Sequence, residues 1–116
     1  MSKPQSSTNL PRVFVPIRTD RYDISQAGKF GEIIYLSDEN ISPFNINEVV
    51  WKFINSLRNN FNPEVDYICM TGNSLILCWL STAISILYPK VKILLYDSRS
   101  EDYQVREFEV PKIGAW

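Results

Sequence analysis

Histidine is absent from the 116 residues. Its absence removes the side chain that titrates nearest neutral pH, the commonest general base and the commonest metal ligand. Catalysis by a Ser-His or Cys-His pair is therefore excluded within this chain. An excess of either charge is lacking too: 12 Lys and Arg stand against 13 Asp and Glu, a formal net charge of -1. Long nucleic acid finds no broad basic face here, whereas a small phosphate-bearing ligand needs only a local cluster of cations. Cysteine is scarce. Cys69 and Cys78 form no CxxC pair and sit in apolar runs, so two buried free thiols in a reducing cytoplasm are expected. No carboxylate cluster has a spacing that argues for a metal, and no cofactor is implied. A membrane span is also missing. Residues 67–89 carry no charge, but Thr71-Gly72-Asn73-Ser74 interrupts them and leaves less than the roughly 20 apolar residues a span requires. Residues 1–9 are polar, with no signal core. The expectation is a soluble cytoplasmic protein.

What is present is an ordinary globular balance, 45% apolar and 22% charged, in a chain long enough for one modest core. Residues 1–11, rich in Ser, Pro, Gln and Asn, read as a flexible segment, and 12–116 as a single α/β domain. A first strand is expected at 13–17, with Pro16 marking an edge or the strand's limit. A polar stretch follows, with one turn near 25–28, then a second strand at 31–36. Ile46, Val49, Val50, Phe53, Ile54 and Leu57 form an i, i+3, i+4, i+7 stripe, the mark of an amphipathic helix. Asn45 stands where its cap belongs, with Glu48 as capping-box partner. A third strand is expected at 65–70 and a second helix at 74–87, apolar almost all round. The fourth strand, 91–96, is apolar enough to be central. The fifth, 103–110, alternates as an outer strand with one wet face would. The order is ββαβαββ: a small Rossmann-like open sheet, mixed parallel and antiparallel, with a parallel crossover between strands three and four and a final hairpin.

Ligands of open parallel sheets gather at the carboxyl ends of the strands. Three segments are expected at that rim. Thr71, Gly72, Asn73 and Ser74 join the third strand to the second helix, where a glycine lets backbone approach a ligand and the first helical N–H groups lack internal partners. The same residues serve equally as a turn glycine and a helix cap. Asp97, Ser98 and Arg99 follow the fourth strand; the arginine can hold a phosphate through two hydrogen bonds, or the segment is simply a hairpin loop. Arg18-Thr19-Asp20-Arg21 follows the first strand, and Arg18 or Arg21 reaches the same rim if that strand runs parallel to the third; otherwise the segment is a solvated loop. Asp23 and Ser25 have the spacing of an Asx turn. Tyr22, Tyr35, Tyr96 and Tyr103 can stack on bases or pack on the sheet.

The run Ile68-Cys69-Met70-Thr71-Gly72-Asn73 with its apolar helix, then Lys92-Ile93-Leu94-Leu95-Tyr96-Asp97-Ser98-Arg99 and a final strand, resembles the CRISPR-associated ring nucleases related to CARF-type sensor domains. Gly72 matches their turn glycine, and Asp97 and Arg99 the outer residues of their Asp-Pro-Arg segment. The resemblance implies recognition of cyclic oligoadenylate. That family's cleavage uses histidines, which are absent here, so it implies binding more than cutting. The whole layout, with its Phe-Gly-Glu strand, Thr-Gly-Asn turn and Tyr-Asp-x-Arg strand end, is also similar to small α/β proteins of bacteriophages.

Three functions follow as expectations. The first is binding of a nucleotide or cyclic oligonucleotide messenger by a phage counter-defence protein, without catalysis. The second is a metal-independent phosphodiesterase that positions a ribose 2′-hydroxyl with Arg99 and Ser74. The third is a structural or host-protein interaction protein with no ligand. After Ser74 the second helix carries only Ser81, Thr82 and Ser85 as polar residues. Apolar surface left over after it covers a sheet favours self-association, so a homodimer through this helix or Trp116 is expected.

Overall fold

Hydrophobic periodicity dictates most of the architecture. The computed structural model describes residues 10–19, 21–38 and 41–111. The strands are β1 (Arg12–Ile17), β2 (Glu32–Ser37), β3 (Tyr67–Cys69), β4 (Lys90–Asp97) and β5 (Asp102–Glu109). The helices are α1 (Ile46–Asn60) and α2 (Ser74–Leu87), and a 3₁₀ helix, Ser25–Phe30, precedes β2. The expected segment 1–11 lies outside the described residues except for Leu10 and Pro11, and Trp116 lies outside them altogether.

One sheet runs β2-β1-β3-β4-β5. The first four strands are parallel, and β5 returns antiparallel to β4 as the far arm of a hairpin. This is the α/β, Rossmann-like mixed sheet that the sequence predicts. Alternate side chains point to opposite faces, and the two faces are unequally covered. Phe14, Leu36, Ile68 and Val91 pack under α1 and α2 with Phe53, Leu57, Ile76, Leu80 and Ile84. On the other face Val13, Val15, Cys69, Leu94 and Tyr103 pack against Ala27 of the 3₁₀ helix. A bond from Lys29 Nζ to Asp102 Oδ2 (2.5 Å) clips that helix to β5. No helix among the described residues is long and apolar enough to cross a membrane.

The stripe on α1 buries Val49, Phe53, Ile54 and Leu57, while Ile46 at its start stays exposed. Asn45 holds the N-cap position, but its side chain makes no cap hydrogen bond; only its carbonyl serves, accepting from Val49 N at 2.9 Å. The capping box is therefore not formed. Asn73 does cap α2, accepting from Ile76 N at 2.9 Å. Cys69 is buried and Cys78 exposed, against the expectation of two buried thiols. Pro16 is not on an edge: β1 is interior, and its pairing with β3 stops at Phe14, so the proline sits at the strand's limit. In β5, Val105 and Phe108 are three residues apart and so face opposite ways; Phe108 joins the core under the helices, and Val105 is exposed. The middle of the sheet is β3, and β4 lies between it and the hairpin's outer arm.

β3 spans Tyr67–Cys69, shorter than the expected 65–70, and Asp66 just before it has another task. Its side chain is only 2% exposed. Oδ1 accepts from Arg12 N (3.0 Å); Oδ2 accepts from Arg12 Nη2 (3.1 Å) and Asn62 N (2.8 Å). The same guanidinium donates to the Asn60 carbonyl. A buried carboxylate persists only when paired and hydrogen-bonded in this way. Removing it orphans two backbone donors and a cation, so Asp66→Ala is expected to cost roughly 3 kcal/mol. Chemical denaturation should show a lower midpoint at unchanged slope.

Gly31 lies at φ 157°, and a Cβ there would run into the carbonyl of Pro11. Gly31→Ala is expected to lose about 2 kcal/mol from backbone strain and that collision. Thermal unfolding of Gly31→Ala beside Gly28→Ala gives the check, since nothing lies near a Cβ at residue 28.

Candidate functional site

The chain leaves β1 in opposite directions. It passes to β2 on one side, under the 3₁₀ helix, then returns through α1 to β3 on the other side of β1. The carboxyl ends of β1 and β3 are thus neighbours whose loops diverge, the topological switch point at which open α/β sheets bind ligands. Two clefts open there.

The larger holds about 530 Å³ and is lined by Ile17, Thr19, Arg21, Tyr22, Ile41, Pro43, Gly72, Asn73 and Ile76. Its walls are the loops after β1 and β3, closed by residues 41–43. Trp79 Nε1 donates to the Pro43 carbonyl (2.8 Å) and so holds that third wall against α2. Gly72 adopts φ 150°, a conformation that side chains rarely take, and leaves its backbone bare at the cleft.

The smaller holds about 250 Å³ and is lined by Arg21, Tyr22, Asp23, Thr71, Tyr96 and Tyr103. It exists because β4 outruns β3. Pairing of β3 with β4 ends at Cys69 with Leu94, while β4 and β5 stay paired as far as Asp97 with Asp102. Tyr96 and Tyr103 are direct cross-strand partners on that overhang, in edge contact at 5.3 Å between ring centroids. Tyr103 is buried, while Tyr96 is 50% exposed.

Beneath them lies a short polar chain. The Cys69 thiol and Thr71 hydroxyl are 3.1 Å apart, and Thr71 Oγ1 is 3.5 Å from the Tyr103 hydroxyl. Burial raises the Cys69 thiol above its ordinary pKa, against smaller opposing hydrogen bonds from Thr71 and Tyr103. Burial likewise pushes Tyr103 up to about 12. Both groups therefore stay protonated at neutral pH, and the phenol is available as a hydrogen-bond donor. Asp23 is the charged counterweight. Its carboxyl lies below the usual carboxylate range, chiefly because Ser25 N donates to it at 3.0 Å; the Asx turn is formed.

Of the candidate residues, Thr71, Gly72 and Asn73 line the clefts. Ser74 is exposed on the first turn of α2 and lines neither. Asn73 combines cleft wall and helix cap, so its carbonyl oxygen is already engaged. Asp97, Ser98 and Arg99 form the start of the β4–β5 turn. Asp97 Oδ1 accepts from Arg99 N at 3.0 Å, and none of the three lines either cleft. Arg18 turns away, its guanidinium 4.2 Å above the Tyr35 ring. Arg21 takes the place at the rim, its backbone N donating to Thr19 Oγ1 at 3.2 Å. Thr19 belongs to the segment expected at this rim, Asp23 is expected only in an Asx turn, and Ile41 and Pro43 carry no site signal in sequence. They reach the site only because β1 and β3 are adjacent, and the reversal of order between β1 and β2 is not written in any local pattern. Among the described residues no group of three or more Cys, Asp or Glu is placed to hold a metal.

Comparison with curated proteins returns no match, and neither does comparison with solved structures. A family model spanning residues 11–110 does match, from the start of β1 to just beyond β5. The chain belongs to the phage Pam3 gp32-like protein family.

Proposed function

We propose that this phage protein is a binding protein for a nucleotide or cyclic oligonucleotide messenger, and that it acts by holding the ligand rather than cutting it. The observation that carries the reading is the pair of clefts at the switch point, which share Arg21 and Tyr22 as a common wall. A guanidinium suits a phosphate, and accessible tyrosine faces suit a base. The likeness to ring nucleases supports the same ligand class through Gly72, which lines the larger cleft. Its Asp97 and Arg99 lie in the hairpin turn, so the phosphodiesterase scheme that relied on Arg99 loses its geometric support. Sequestering a defence signal in the host cytoplasm is the role that fits such a phage protein.

Calorimetric titration with cyclic oligoadenylates and cyclic dinucleotides is expected to give saturable heat with at least one of them, and the recovered ligand is expected to be intact. No heat at high micromolar concentration overturns the binding reading. Linear products after incubation overturn its non-catalytic part.

We also propose a homodimer through α2. Leu75, Cys78, Thr82 and Ile86 fall on one face of that helix, and all four are exposed, Ile86 to 62%. Of these four only Thr82 is polar, and its hydroxyl is turned back to the Cys78 carbonyl; water rarely meets so largely apolar a helix face on a stable monomer. Light scattering at low micromolar concentration is expected to report twice the 13.5 kDa chain mass, and Ile86→Glu to halve it. A wild-type monomer overturns the proposal.

A further inference from the structure

The two clefts differ in chemistry as well as size, and the difference orders a ligand. The smaller, at about 250 Å³, falls below the roughly 300–1,000 Å³ typical of sites that enclose a whole small ligand. It has room for one ring system. Its walls are three tyrosines, and its polar edge contains the Asp23 carboxylate. An anion is disfavoured beside that carboxylate, whereas a planar heterocycle with N–H groups on its edge is matched by it. Tyr22 and Tyr96, 39% and 50% exposed, offer ring surface at the mouth.

The larger cleft has no carboxylate among its described lining residues. Ile17, Ile41, Pro43 and Ile76 give it an apolar lining, and Thr19 and Asn73 supply polar groups. This combination accepts a second ring with its sugar. Arg21 is the only cation lining either cleft among the described residues, and it lines both. Its guanidinium makes no ion pair with a described residue. An anionic group therefore belongs at the junction, between the two ring sites.

We infer that a single ligand lies across both clefts with its phosphate on Arg21, and that its class is the dinucleotide: two nucleoside units joined by a phosphodiester. This deepens, and rests on, the nucleotide-binding reading above. In this arrangement Arg21 contributes bidentate hydrogen bonds to the bridging phosphate. Tyr96 contributes stacking to the first base, and neither cleft alone satisfies the ligand.

The test is titration of the full chain with the dinucleoside monophosphates ApA and GpG, and in parallel with AMP and GMP. At least one dinucleoside monophosphate is expected to bind tenfold or more tightly than its mononucleotide. Arg21→Gln is expected to abolish that advantage, and Tyr96→Leu to weaken binding by roughly tenfold, the loss typical of one stacked base. Both residues are exposed, so the variants should melt with the wild type. Equal affinity for the one-unit and two-unit ligands overturns the spanning mode alone, and needs no variant to read. Binding indifferent to Arg21 does the same. Silence with all four probes overturns the spanning mode; if the cyclic ligands still give heat, nucleotide binding stands without it.

Discussion

A carboxylate kept from water must fill its lone pairs with donors, and Asp66 fills them with the ends of other elements. Its partners are the first residue of β1 and the segment that leaves α1, while Asp66 itself stands at the entry to β3. One side chain thus joins the amino ends of the two strands that flank the switch point. β3 needs this help. It has three residues, only two of which pair with β1, too few to set a register by ladder bonds alone. Apolar packing reinforces the same corner: Phe61 meets Phe14 at 5.3 Å and Tyr88 at 5.2 Å, and Tyr88 donates to the Leu57 carbonyl at 3.2 Å. With the amino ends held, the loops at the opposite ends of β1 and β3 leave from fixed positions. The clefts are the far consequence of a buried charge at the near end of the sheet.

The unequal covering of the sheet matters as much. Two long helices seal one face, and a 3₁₀ helix of six residues seals part of the other. The heavier layer supplies the larger share of the apolar burial from which folding draws its stability. The lighter layer leaves the overhang of β4 and β5 uncovered, which is why Tyr96 reaches solvent and why a pocket forms where the sheet would otherwise close.

Patterns with a strong period were legible in the sequence. The stripe of α1 and the boundaries of α2 emerge at their expected positions, because periodicity reports burial directly. The capping box failed although both residues are present: a cap depends on the dihedral angles of the incoming loop, and Asn45 at φ -87° and ψ 72° aims its side chain elsewhere. The site was half legible. Thr71, Gly72 and Asn73 follow a strand and open a helix, a context visible from local signals. The arginine was harder. Arg18 and Arg21 both follow β1, one and four residues beyond its end, and the choice between them rests on Tyr35 of the adjacent β2, which captures Arg18 by its ring face. Long-range pairing of that kind has no signature in either segment.

The placement of the two thiols has a kinetic meaning. Cys78 faces solvent, whereas Cys69 is fully covered beneath Thr71 and Tyr103, with its ionisation suppressed by burial. What lies over it is the thin side of the sheet, where the 3₁₀ helix contributes a single buried side chain, Ala27. Such a small cover detaches at less cost than the whole domain unfolds. Alkylation of the chain therefore runs on two clocks. One counts exposure of the Cys78 face of α2, which the proposed dimer would cover, and the other counts how often the floor of the smaller cleft opens, an interval that anything wedged between Tyr22 and Tyr96 would lengthen.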